Sequence, residues 1–257
     1  MTELRPAPER LRAGLAPRSG MPEAAAVTAA VLRNLGRFAT LTAEEAARVA
    51  ALGATRRRWR PGALLAADGG ASGAHFVVSG WACRQRVLRD GRRQIFDFIV
   101  PGEGFGFEPL PLGPQSIVAL TPLETVAAHG LMDGGPASAD GLWRALQAAR
   151  VETCARRQDH MLRLGQLTAY ERASHFILEM QWRVGAPDPR SFPLPLTQEA
   201  MADALGLSVV HLNRVLRQLR AAGLVEIRGG VAVVRDAAAL AQAAVLPLPG
   251  KAAIAGC

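Results

Sequence analysis

The 257-residue chain is 49% hydrophobic and 20% charged, a globular composition with enough material for a buried core. A formal net charge of +8 favours a polyanionic partner, nucleic acid or an anionic membrane surface. Its three cysteines, Cys83, Cys154 and Cys257, lie far apart without a CxxC pair, which argues against a disulfide framework and a local zinc or iron–sulfur motif.

No apolar run approaches the roughly 18–20 residues of a membrane span. The N-terminal stretch MTELRPAPERLRAGLAPRSGMPEAAA lacks the apolar core of a signal peptide and reads as a disordered tail. The expectation is a soluble, cytoplasmic protein with no membrane partner. The base is almost entirely Arg, Lys251 being the only lysine. A GC-rich genome produces that bias without function, so the placement of the charge has to decide.

Helical periodicity begins near Ala26, in VTAAVLRNLGRF and then TAEEAARVAALG, with Thr42 placed as an N-cap ahead of Glu44 and Glu45. After RRRWRPG the period changes. AHFVVSG, WACRQRVL and RQIFDFIVPG are short strand-like runs with a hairpin signal at Asp90-Gly91, and SIVALTPLETVAAH continues the strands to His129. Such spacing suggests a small antiparallel barrel or roll. No proline interrupts Ala137 to Leu167, which predicts a helix more than twice the mean of about 11–12 residues. On it Val151, Cys154, Gln158 and Met161 recur at three- and four-residue steps, as in a coiled-coil seam. A dimer interface is one reading of that stripe; a helix lying on its own barrel is the other. A second helix, AYERASHFILEMQWRVG, ends at Gly185, and APDPRSFPLP reads as a linker with too much proline for an element.

The segment LTQEAMADALGLSVVHLNRVLRQLRAAGLVEIRGG carries the clearest local logic. Thr197 caps a helix to about Leu205, Gly206 permits a tight turn, and Ser208 caps the next helix. Met201, Leu205, Leu207, Leu212 and Val215 can meet in one small core, and Ala202 lets the two helices cross closely. This is a helix-turn-helix pattern, with a hairpin around Gly229-Gly230 as its wing. Val209, Val210, Asn213, Arg214 and Arg217 fall off the core face and are predicted base contacts, Arg suiting guanine, Asn adenine and Val a thymine methyl. Thr197, Gln198, Ser208 and His211, near helix starts or on a flank, and Arg228 on the wing are predicted phosphate contacts. A helical hairpin with a solvated Arg face would be equally basic. Caps, glycine, small residue and apolar spacing agree together on double-stranded DNA. The residues after Asp236 read as a weak helix and a loose tail.

Barrel, long helix and winged helix-turn-helix, in that order, resemble the Crp/Fnr superfamily of bacterial transcription regulators. The resemblance rests on GWACRQRVLRDGRRQIFDFIVPGE and the helix-turn-helix segment, and spans about Leu32 to Asp236. It implies an α+β fold: an N-terminal antiparallel β-roll or barrel, a long dimerisation helix and a C-terminal winged helix-turn-helix. The expected boundaries are a tail over 1–25, a cyclic nucleotide-binding-like sensor over 26–136, the dimerisation helix over 137–167, the DNA-binding domain over 168–238 and a second tail over 239–257. The resemblance further implies a homodimer on a palindromic operator, one recognition helix per half-site, with RNA polymerase as partner. Members commonly use a Glu and an Arg in that helix; the Arg matches Arg214, but Val210 takes the Glu position.

For the sensor, cyclic-AMP-binding relatives use a glutamate for the ribose hydroxyl and an Arg-Ser pair for the phosphate. Here Phe107 holds the glutamate position, Glu108 is one residue out of register, and Gln115 precedes Ser116. No Arg or Lys occurs between Arg93 and Arg144, so a phosphate would lack a local charge-assisted partner. Cyclic AMP is therefore not expected, although an effector pocket is expected around Phe105, Gly106, Phe107 and Ser116. The iron–sulfur branch uses an N-terminal cysteine cluster, and no cysteine precedes Cys83. The haem branch places Cys and His where Gly106 and Glu108 stand. His75, His129, His160 and His175 are each isolated and read as structural, as Cys83 does in its strand. No metal or cofactor is expected, with a haem or another small-molecule effector left open. No nucleophile elbow, P-loop or carboxylate pair is present; Glu103 and Glu108 beside glycines fit loop geometry better than general acid–base work, and no enzyme is expected. Two readings follow: a regulator that answers an effector, and an effector-independent regulator whose barrel is a protein-interaction module.

Overall fold

The computed structural model describes residues 23–67, 73–107, 115–128, 130–131, 140–185, 188 and 190–245. Residues 1–22, Glu108, His129, Lys251 and Cys257, with the expectations attached to them, lie outside that set. The chain divides between Arg157 and Gln158, inside the long helix, into two compact units.

The first unit opens with α1 (Glu23–Leu35) and α2 (Ala43–Ala51). Thr42 caps α2 as expected, and the cap is reciprocal: Glu45 N donates to Thr42 Oγ1 at 3.2 Å while Thr42 N donates to Glu45 Oε2 at 2.6 Å. The other oxygen of Glu45 accepts from Leu142 N at 3.0 Å, so one buried carboxylate joins the starts of α2 and α3 (Gly141–Gln166). The backbone N–H groups of Thr42 and Leu142 hold its carboxyl below the ordinary carboxylate range.

Among the described residues eight strands form the roll: β1 (Arg57–Trp59), β2 (Leu64–Ala67), β3 (His75–Ser79), β4 (Ala82–Val87), β5 (Arg93–Ile99), β6 (Gly104–Phe105), β7 (Ser116–Ala119) and β8 (Leu123–Ala127). They make two antiparallel sheets, ordered β1-β8-β3-β6 and β2-β7-β4-β5. β7 and β8 are consecutive yet join different sheets, which closes the roll. Leu65, Val77, Ile99, Phe105, Ile117 and Leu123 fill the space between the sheets. A second core packs Val31, Leu35, Val49, Phe76, Val126, Leu142 and Leu146 from α1, α2, the first sheet and α3. β1, β2 and β6 have no counterpart in the sequence reading, because they are two to four residues long and, unlike β7, do not sit in a longer strand-like run. Cys83 is fully buried in β4, as expected.

In the second unit, α4 (Ala169–Val184) starts at a second reciprocal cap, Thr168 with Glu171, and stops at Gly185. α5 (Gln198–Leu205) and α6 (Val209–Ala221) follow, then β10 (Val225–Arg228), β11 (Val231–Val234) and α7 (Ala237–Ala244). The supposed linker is partly an element: β9 (Ser191–Pro193) pairs antiparallel with β11 in a sheet ordered β10-β11-β9. Proline is tolerated there because β9 is an edge strand and needs no N–H on its open side. The weak C-terminal helix is also firmer than its composition suggests. Asp236 caps α7, and Leu240 and Ala244 are fully buried where it packs on α4.

Candidate nucleic-acid interface

Thr197 Oγ1 accepts from Ala200 N at 3.1 Å and Ser208 Oγ from His211 N at 3.2 Å, which satisfies one orphan donor at the start of each helix. Gly206 between them has φ +63°, and a Cβ there would stand 3.1 Å from Leu164 Cδ2. A side chain would be strained and crowded, so the tight turn requires glycine. Met201, Ala202, Leu205, Leu212 and Val215 are buried and Leu207 half-buried, as the apolar spacing predicts. Arg172, which the sequence reading passed over, pins the module: its guanidinium donates to Leu167 O at 2.8 Å and to Leu205 O at 3.1 Å. A carbonyl partner leaves no signature in the sequence.

On α6, Val210 is 79% exposed, Arg214 and Arg217 are exposed, and Val209 and Asn213 are half-buried. Asn213 Nδ2 donates to Gln198 Oε1 at 2.9 Å, and Arg217 Nε donates to Asn213 O at 3.4 Å. Gln198 is exposed at the start of α5 and His211 half-buried on α6. Arg228 stands on the wing, its Nε 2.7 Å from Glu226 Oε1; Arg235 reaches the other oxygen at 2.5 Å. Glu226 is held below the usual carboxylate range by its bond to Arg235 and then by the charge of Arg228. The sequence reading gave Arg228 as a phosphate contact and named no partner for it; Glu226 lies two residues away on the same strand, where alternate side chains share a face.

Behind this surface the second unit is tied by charge. Glu179 on α4 accepts from both Arg163 on α3 and Arg183 on α4, and all three side chains are buried. Asp159 nearby is raised above its usual range, by burial first and then by the Glu179 carboxylate. Along α3, Val151 is 69% and Met161 65% exposed, and Cys154 and Gln158 are exposed as well.

In the first unit a cavity of about 360 Å³ lies between α1, the turn after β5 and α3. Of the expected effector residues, Phe105 and Phe107 line it, and Gly106 and Ser116 do not. Phe105 is buried and stacked on His75 at 5.3 Å, while Phe107 tilts onto Phe76 at 5.0 Å. Gly106 is exposed with φ +77°, and Ser116 is half-buried on β7. The sequence reading missed Asn34 on α1 and Arg150, Arg156 and Arg157 on α3, which also line the cavity. Arg156 is buried among carboxylates, 2.7 Å from Glu152, 3.5 Å from Glu103 and 3.8 Å from Asp97. The roll lacks a cation of its own between Arg93 and Arg144, and α3 supplies the arginines from outside it.

Residues 56–130 match the cyclic nucleotide-binding domain family, and residues 171–243 match the Crp-like helix-turn-helix domain. The chain is 33% identical over 171 residues to the nitrogen fixation regulation protein FixK of Rhizobium meliloti, covering 66% of this chain and 77% of that one. FixK of Azorhizobium caulinodans is 32% identical over 213 residues, 78% of this chain and 84% of its own. The chain belongs to the Crp/Fnr family of transcription regulators. Among solved structures of this family, FixK2 from Bradyrhizobium japonicum superposes with a TM-score of 0.66 at 29% identity, over 75% of this chain and 98% of that one. As a Crp/Fnr regulator the protein binds DNA through its helix-turn-helix. No helix among the described residues is long and apolar enough to cross a membrane.

Proposed function

We propose that this Crp/Fnr regulator acts in the cytoplasm as a homodimer on a palindromic operator, with α6 of each copy reading one half-site and RNA polymerase as its partner in transcription. The observation that carries the reading is α6 itself. A capped helix, seated on a buried apolar core, presents Val210, Arg214 and Arg217 to solvent. Arg214 reads guanine through its fork, and Val210 favours a base with an apolar edge, most simply thymine. Thr197, Ser208 and His211 sit at or near helix starts, where phosphate contacts set the register. The exposed residues Val151, Cys154, Gln158 and Met161 on α3 supply the seam between copies.

The roll answers something other than a cyclic nucleotide. An apolar ring, Phe107, replaces the carboxylate that would accept from a ribose hydroxyl, and it is packed on Phe76. Calorimetric titration with cyclic AMP or cyclic GMP gives no specific heat of binding on this reading; a saturable micromolar isotherm overturns it. For DNA the test is selection from a randomised pool at fixed salt, since affinity depends strongly on salt. Wild type selects a two-fold symmetric motif, and Arg214→Ala flattens one symmetric base pair in each half-site. A motif unchanged at every position in the Arg214→Ala selection removes Arg214 from base reading.

A further inference from the structure

We infer that Gln198 is a specificity-determining residue that works through Asn213, relaying the position of a DNA phosphate into the orientation of a base-reading amide. The inference deepens the proposed DNA reading and rests on it. The two side chains come from different helices, fifteen positions apart in sequence, and meet at 2.9 Å with Asn213 Nδ2 as donor and Gln198 Oε1 as acceptor. Asn213 stands on α6 one residue before Arg214, on the helix that also presents Val210 and Arg217.

An asparagine amide has two N–H donors and one carbonyl acceptor, and rotation about its last torsion exchanges the two ends at little cost. Free in solution, such a side chain offers a base either a donor or an acceptor and discriminates poorly. Committing one N–H to Gln198 leaves Asn213 with one N–H and Oδ1. That donor–acceptor pair matches adenine, whose N7 accepts and whose N6 donates in the major groove. Rotating Asn213 alone would turn its oxygen toward the oxygen of Gln198.

Gln198 needs its own anchor, or both amides could turn together. DNA provides it. A phosphate oxygen accepts hydrogen bonds and does not donate them, so Gln198 beside the backbone must present its Nε2 to the phosphate. Its Oε1 then faces Asn213. The exposed start of α5, where Gln198 lies, suits that contact. Phosphate, Gln198, Asn213 and adenine form one chain of hydrogen bonds, in which a contact that carries no sequence information fixes one that does.

The test is competitive binding of the full-length protein to operators that differ only at the base pair read by Asn213, located as the pair flattened by Asn213→Ala. Wild type should prefer adenine there on the order of tenfold. Gln198→Ala should reduce that preference several-fold, and should leave it unchanged when added to Asn213→Ala. Gln198→Glu separates the two ends of the relay. Its carboxylate still accepts from Asn213 but cannot donate to phosphate, so affinity falls for every sequence while the preference for adenine survives. Unfolding midpoints of the three single variants should stay close to the wild-type value, because Gln198 is exposed and Asn213 is only half-buried. The proposal is overturned if Gln198→Ala weakens all sequences alike and keeps the preference, or if it changes the preference equally in the Asn213→Ala background. It fails together with the Asn213 reading if Asn213→Ala flattens no pair. Arg214→Ala, tested on operators that differ at its own base pair, keeps the outcomes apart: if that pair flattens while Gln198→Ala does nothing to the preference at the Asn213 pair, the DNA reading stands and only the relay is wrong.

Discussion

Arg156 in the first unit and Arg163 and Arg183 in the second are buried, whereas Arg214 and Arg217 on α6 are exposed. All five lie on helices, and the residue type is the same. What differs is the supply of carboxylates. Glu152, Glu103 and Asp97 surround Arg156, and Glu179 serves Arg163 and Arg183 together. From Val209 to Ala221, α6 has no acidic residue at all. A buried guanidinium needs an internal counter-charge to offset lost hydration. On the proposed reading, Arg214 and Arg217 have no carboxylate on their own helix, so that phosphates and base edges can supply their partners. The wing shows an intermediate arrangement, in which Glu226 engages Arg228 and Arg235 at the surface and their charge remains accessible.

The largest effect should come from breaking the buried side of this contrast. Glu179→Leu leaves two buried cations without their shared carboxylate and should cost about 3–5 kcal/mol, read from urea unfolding. Unfolding within experimental error of wild type would show that Arg163 and Arg183 find water or another acceptor. Next comes a guanidinium added where the proposed seam offers no carboxylate. Cys154→Arg should give monomers on sedimentation and lose operator binding, while undiminished dimers would place the interface elsewhere. Arg214→Ala tests the exposed side. Discrimination at one base pair should fall by about 1–3 kcal/mol, and stability should stay within about 0.5 kcal/mol of wild type. A large loss of stability would mean that Arg214 is structural after all. Ser208→Ala removes a cap together with a proposed phosphate contact; it should destabilise the second unit by about 1 kcal/mol and weaken all sites alike without altering the selected motif.

The smallest effect concerns a carboxylate whose partners are backbone N–H groups. The folded pKa of Glu45 lies below its ordinary value, so its stabilisation is present above the ordinary value and is lost as pH falls through the lowered folded one. Glu45→Gln should therefore be less stable than wild type at neutral pH. The difference should shrink as pH falls below the ordinary carboxylate range, where the wild-type carboxyl takes up its proton. A gap between the two proteins that stays constant from neutral to acid pH would remove Glu45 from the acid limb.

The helix-turn-helix is legible in the sequence because its determinants are local. Caps, turn glycine and apolar spacing lie within a few residues of the groups they act on, and α5 and α6 follow that reading almost residue by residue. The strands around Asp90-Gly91 are legible for the same reason, since a hairpin joins neighbours. β9 is not. Its proline-rich sequence argues against a strand until β11 arrives to make it an edge. The cavity lining, the Arg172 anchor and the contacts that bring Glu103 and Asp97 to Arg156 and Arg163 to Glu179 are equally invisible in the sequence, because each joins groups from separate elements. By itself the sequence determined the DNA-reading module, the strand-rich roll and the long helix between them. Only the tertiary structure decided which arginines would be spent inside, and that Gln198 would meet Asn213. Such pairings depend on how helices cross, and the free energy that orients those crossings comes from burying apolar faces that carry no record of which polar groups will be brought together.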